Sequence, residues 1–116
     1  MAADAPLPVK KRMEVFVRHD AELDAFSYFQ YLHERNPDAA KSFLAAIDQT
    51  VEGLAEQPMK GRLRRFQGRD LRNIRSWRVD EFENYLIFYR ATEERIEVLH
   101  IKHGAMGFPR ALRSKE

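Results

Sequence analysis

Asn36-Pro37-Asp38, followed by Ala40, Phe43, Leu44, Ile47, Val51 and Leu54, restricts the possible folds of this chain more than any other feature. Asparagine can accept a hydrogen bond from an uncovered first-turn amide, proline at the first helical position has no amide to leave uncovered, and Asp38 sits at the positive end of the helix dipole. The apolar residues then follow the i, i+3, i+4, i+7 rule and make one continuous stripe, which needs a sheet or another helix to cover it. A second helical pattern lies just upstream. His19 or Asp20 can cap its start, Leu23, Phe26, Phe29 and Leu32 are its expected apolar positions, and it ends near Arg35. So short a connection predicts an antiparallel helical hairpin.

After Pro58 and Gly61 the apolar period changes, and strands are expected over 71–79, 85–90 and 96–101, with Thr92-Glu93-Glu94 as a tight turn. Tyr85 to Tyr89 is apolar on both faces and reads as the central strand, with Tyr85 and Tyr89 facing one side and Leu86 and Phe88 the other. Met13 to Val17 forms a strand ahead of the helices. The expected class is α+β: an N-terminal strand, then a helical hairpin covering one face of a curved antiparallel sheet whose other face is open. A chain of 116 residues, 44% of them apolar, supports one core. Residues 1–12, with Pro6, Pro8 and Lys10-Lys11-Arg12, read as a leader, 13–110 as a single domain and 111–116 as a tail.

Charge is divided unevenly along the chain. Residues 20–57 hold eight acidic residues against Arg35 and Lys41, a net of −6, whereas residues 60–78 hold eight basic residues against Asp70, a net of +7. The basic block steers toward phosphates or an acidic protein surface, or else pairs with the protein's own acidic helices. With no cysteine, disulfides, thiolate metal sites and cysteine nucleophiles are excluded. The longest apolar run is too short to cross a bilayer and no secretory block precedes the first strand, so a cytoplasmic location is expected.

Several segments occur in an order and spacing that resembles the ParE/RelE superfamily of bacterial toxins: Asn36-Pro37 with Ala39-Ala40, Leu54 with Pro58 and Gly61, Leu71-Arg72, Tyr85 to Arg90, and Ile96-Glu97-Val98-Leu99 leading to His103-Gly104-Ala105. The chain departs from that pattern at Met106-Gly107, where the family has Arg-Asp, and at His100, where it usually has arginine. The resemblance implies the toxin half of a type II toxin-antitoxin pair. RelE-like members are ribosome-dependent ribonucleases, a chemistry that needs an activated ribose hydroxyl and cations on the phosphorane. Their central-strand arginine falls on Leu86 here, and the arginine after the last strand falls on Gly104. The central strand resembles instead that of ParE-like members, which poison DNA gyrase. The implied partners are a cognate antitoxin and gyrase or the ribosome as target, with operon DNA contacted only through the antitoxin; no cofactor or metal is implied. An mRNA interferase using Arg72, Arg90 and His103, or a degenerate member that only binds antitoxin, are the alternatives.

His100 and His103 are separated by an odd number, which places them on opposite strand faces and argues against a shared metal. His103 remains a candidate general acid or base, or a structural hydrogen bonder. Arg72 and Arg90 can pair with helix-two carboxylates, contact target phosphates or receive an antitoxin carboxylate. Trp77, between Arg75 and Arg78, can stack on a base or simply pack. The target- or antitoxin-binding surface is therefore assigned to Arg62, Arg64, Arg65, Arg72, Arg75, Trp77, Arg78, Arg90 and His100.

Overall fold

Asn36 caps the second helix as its chemistry requires: Oδ1 accepts the Ala39 N–H at 3.1 Å, and Pro37 begins the helix. The computed structural model describes residues 12–104. Strand β1 (Glu14–Val17) leads into helices α1 (His19–Arg35) and α2 (Pro37–Glu56). Strands β2 (Arg62–Leu63), β3 (Ile74–Val79), β4 (Phe82–Ala91) and β5 (Arg95–His103) follow. A single 3-10 turn at Arg69–Leu71 precedes β3. That turn occupies the start of the strand expected from residue 71, and the two-residue β2 was not anticipated. Met106-Gly107 lies outside the described residues.

Helix α2 buries Ala40, Phe43, Ile47, Val51 and Leu54, the expected stripe, together with Ala46, Thr50 and Ala55, while Leu44 is 38% exposed. Complete burial of Phe43 and of Leu54 contributes about 1.5–3 kcal/mol each. Replacing Asn36 with alanine removes the cap, and is expected to cost about 1 kcal/mol and lower the thermal midpoint by roughly 4–8 °C. An unchanged melting curve would contradict that role.

The stripe expected on α1 holds at Leu32 and fails at its N-terminal half. Leu23 and Phe26 are exposed, and the inward face is built from Ala21, Ala25, Tyr28 and Leu32. Two small alanines at the start of that face bring the helix close to β5, so the bulkier Leu23 and Phe26 turn outward. The cap differs too: it falls on Arg18, and no side chain closes the first turn.

The sheet runs β1-β5-β4-β3-β2: β2 to β5 form the expected antiparallel meander, and the parallel β1 at its edge makes the whole sheet mixed. Strand β1 lies parallel to β5, from Glu14 opposite Arg95 to Val17 opposite Val98. The hairpin and meander between them supply the long connection that a parallel pair needs. On β4, Tyr85, Ile87 and Tyr89 face the helices, whereas Leu86 and Phe88 face away. The far face is partly covered, because the segment between β2 and β3 lays Phe66 and Leu71 over Phe88, Ile74 and Leu99. The Thr92 turn is present, with Thr92 Oγ1 accepting from the Glu94 and Arg95 amides.

Strand β5 carries a bulge. Phe88 opposes His100 and Tyr89 opposes Val98, which leaves Leu99 unmatched. Val98 and Ile101 therefore both reach the helix-side core, and Leu99 turns to the far face with His100. Strand β1 ends beside Val98, and α1 then takes over as the neighbour of β5. Asp24 Oδ2 accepts the Ile101 N–H at 3.0 Å, and Tyr28 Oη accepts the His103 N–H at 3.0 Å. Two side chains one helical turn apart thus satisfy alternate edge amides that a strand would otherwise pair.

Candidate functional site

Residues directly opposed across strands share a face, so the sheet register sorts the candidates. Arg62, Ser76, Phe88 and His100 form one row on the far face, and Arg78, Leu86 and Lys102 form another. Ile74, Arg90 and Glu97 form a third. Arg75 opposes Tyr89 and Trp77 opposes Ile87, so both lie on the helix side. His103 opposes Tyr85 and meets its ring edge-on at 4.9 Å, on the side opposite to His100.

Arg75 and Arg90 are tied to backbone. Arg75 Nη1 donates to the Gly61 carbonyl at 2.8 Å and to that of Met59 at 3.3 Å. Arg90 donates from Nη2 to the Asp70 carbonyl at 2.6 Å and from Nε to the Arg72 carbonyl at 3.1 Å, holding the segment before β3 against the sheet. Neither Arg72 nor Arg90 pairs with a carboxylate of α2 among the described residues. Arg64 donates to Ser76 Oγ at 3.3 Å and lies over Phe66 and Phe88. Trp77 is half-buried, with Lys60 and Arg78 each 4.9 Å from its ring centre. Arg62 and Arg65 are exposed.

His100 is buried and its Nδ1 lies 3.0 Å from Asp24 Oδ2; Lys102 Nζ lies 3.2 Å from Asp24 Oδ1. Burial alone would push the Asp24 carboxyl up, but the hydrogen bonds from His100 and Ile101 and the charge and hydrogen bond of Lys102 together hold it below its ordinary value.

Beside this network the far face opens into a cleft of about 490 Å³ between the α1 start, the 69–73 segment and β5. Arg72, Arg90 and His100, three of the residues singled out from the sequence, line it together with Arg18 and Arg69. Nothing in the local sequence separated Arg18 from other exposed arginines; only the fold brings the end of β1 next to the 69–73 segment. Arg62, Arg64, Arg65, Arg75, Trp77, Arg78 and His103 lie outside the cleft lining.

The order of elements, the mixed sheet and the helical hairpin can be compared with known proteins. Residues 15–108 match the family model described as the ParE toxin of the type II toxin-antitoxin system parDE. The chain belongs to the ParE toxin family. A solved structure described as the chromosomal ParDE toxin-antitoxin system from P. aeruginosa shares the ParE fold, with a TM-score of 0.64 at 16% identity over 79% of this chain and 96% of that one. No individual curated protein matches. Within this ParE fold, no helix among the described residues is long and apolar enough to cross a membrane.

Proposed function

We propose that this ParE-family toxin acts on DNA gyrase and is neutralised by a cognate antitoxin. The observation that carries this reading is the dispersal of the groups that RNA cleavage would require. Leu86 occupies the central-strand position where RelE-like enzymes carry arginine, and Arg90 is engaged with two backbone carbonyls. His103 faces the helix side, so Arg72, Arg90 and His103 do not converge on one scissile phosphate. Acid-base cleavage needs its groups within hydrogen-bond reach of the same reacting atoms. Inhibition by binding has no such requirement.

An antitoxin has a suitable place to dock. An apolar groove of about 570 Å³ runs between β1, α1 and α2, lined in part by Val15, Val17, Ala25, Leu44, Ile47 and Val51. Leu44 and Val17 remain exposed there, so apolar side chains of an extended or helical antitoxin segment gain burial by entering it.

Induced expression in a bacterial host is expected to cause filamentation and a DNA-damage response, relieved by co-expression of the neighbouring small gene. The purified toxin is expected to block gyrase supercoiling. Unimpaired supercoiling at excess toxin, together with codon-specific mRNA cleavage in a translation extract, would refute the gyrase reading.

A further inference from the structure

The cleft on the far face is strongly cationic and its cations are largely uncommitted. Its lining includes the guanidiniums of Arg18, Arg69, Arg72 and Arg90 against the carboxylates of Asp20 and Asp70, and His100 forms part of the wall. Arg18, Arg69 and Arg72 enter no ion pair among the described residues. Arg72 has only a long 3.4 Å hydrogen bond to the Arg69 carbonyl. Four guanidiniums against two carboxylates leave the lining with an excess of positive charge, which favours an anion there.

The frame around these side chains is built. Arg90 fixes the 69–73 segment through two carbonyls, and Asp24 fixes His100. Leu71, Ile74 and Leu99 are buried and form an apolar floor. The far-face rows extend the positive surface to Arg62 and Arg78, both exposed, while Lys102 is taken up by Asp24. Glu97, which shares a far-face row with Arg90, is taken up by Arg95 at 2.9 Å. A single carboxylate would be satisfied by one guanidinium fork. Cations spread across a whole sheet face instead follow a chain of phosphates.

We propose that this cleft binds the phosphate backbone of a nucleic acid, with Arg18, Arg69 and Arg72 as the contacting groups. The toxin then touches nucleic acid itself, rather than only through its antitoxin. This inference stands apart from the gyrase reading, because binding is measured on the toxin alone and does not depend on what the toxin inhibits.

The test is fluorescence anisotropy of the full chain with labelled single-stranded DNA, duplex DNA and RNA of one length, titrated with salt and competed with inorganic phosphate and with polyglutamate. Binding of at least one oligonucleotide is expected. In Arg18→Ala/Arg72→Ala the affinity falls at least about tenfold and the slope of log K against log salt shrinks by about two. Arg35→Ala, at the far end of α1, binds as the unaltered chain does. Arg18→Gln and Arg72→Gln singly, each with its melting curve, separate lost contacts from lost folding. Equal affinity and salt slope in the double variant overturns the proposal. So does binding of polyglutamate without binding of any oligonucleotide, which would make the cleft a receptor for an acidic peptide.

Discussion

Gly61→Ala is expected to destabilise the protein by about 3 kcal/mol and lower its thermal midpoint by at least roughly 10 °C. Gly61 is buried where the chain leaves α2, and its N–H donates to Tyr89 Oη at 2.9 Å. The same hydroxyl donates to the Pro58 carbonyl at 2.8 Å, and Arg75 closes the loop from the adjacent strand through the Gly61 carbonyl. A Cβ at position 61 would lie 2.7 Å from Tyr89 Cε1 and 2.8 Å from Cζ, with the hydroxyl oxygen nearer still. Tyr89 is fully buried in the middle of the sheet and cannot yield. Alanine does reduce the entropy of the unfolded chain, which stabilises by about 0.4–1 kcal/mol where the native site accepts it. The overlap is the larger effect here and sets the sign.

Tyr89→Phe gives an independent reading of the same junction. It deletes the acceptor for Gly61 N–H and the donor to Pro58, leaving buried polar groups unpaired at a cost of about 1–3 kcal/mol. Burial pushes the Tyr89 phenol up, and the Gly61 hydrogen bond and the Arg75 charge only partly offset that, so the hydroxyl keeps the proton it donates. In Gly61→Ala/Tyr89→Phe the atom closest to the new methyl is gone while the ring carbons remain. The double variant should therefore lose less than the sum of the singles by about 0.5–3 kcal/mol. Strict additivity in urea melts would mean that the two residues do not meet.

Much of this junction was legible as a pattern before its meaning was. Asn36-Pro37-Asp38 predicts its own local structure, because capping is settled within a few residues, and the cap forms as expected. The two-faced apolar run at Tyr85 to Tyr89 likewise predicts a central strand, and β4 has β3 and β5 as its neighbours. Helix α1 departs from expectation only in its N-terminal face, where Leu23 and Phe26 outweigh alanine in any apolar count while the packed positions are the small Ala21 and Ala25. The arginines were harder still. Their type says only that they carry charge; whether Arg75 and Arg90 bind backbone or Arg72 faces solvent depends on partners far away in sequence. The cleft unites Arg18 with residues beyond position 68, and no local spacing encodes that.

Asp24 shows the same limit and ties the stability of this fold to pH. In an acidic helix it reads as a solvated carboxylate, yet its side chain is only 16% exposed and holds His100, Lys102 and the Ile101 amide together. Asp24→Ala leaves a buried histidine, a largely buried ammonium and an edge amide without their acceptor, and is expected to cost about 3–5 kcal/mol at pH 7. Asp24→Asn keeps an acceptor for the Ile101 amide but loses the charge that answers Lys102, so its cost should fall between that and zero. The carboxyl is held below its ordinary 3.8, so its stabilisation is fully present above that value and is lost as pH falls through the lower folded-state value. Urea midpoints of the unaltered chain and Asp24→Ala should therefore lie far apart at pH 7 and converge as acid protonates Asp24. Glu52, held low mainly by its hydrogen bond from Arg12, titrates in both proteins and cancels in the difference. Amide exchange at Ile101 and His103 reports the cause directly: faster exchange in Asp24→Ala means that α1 no longer seals the β5 edge, whereas unchanged protection and an unchanged midpoint would show that the carboxylate is dispensable.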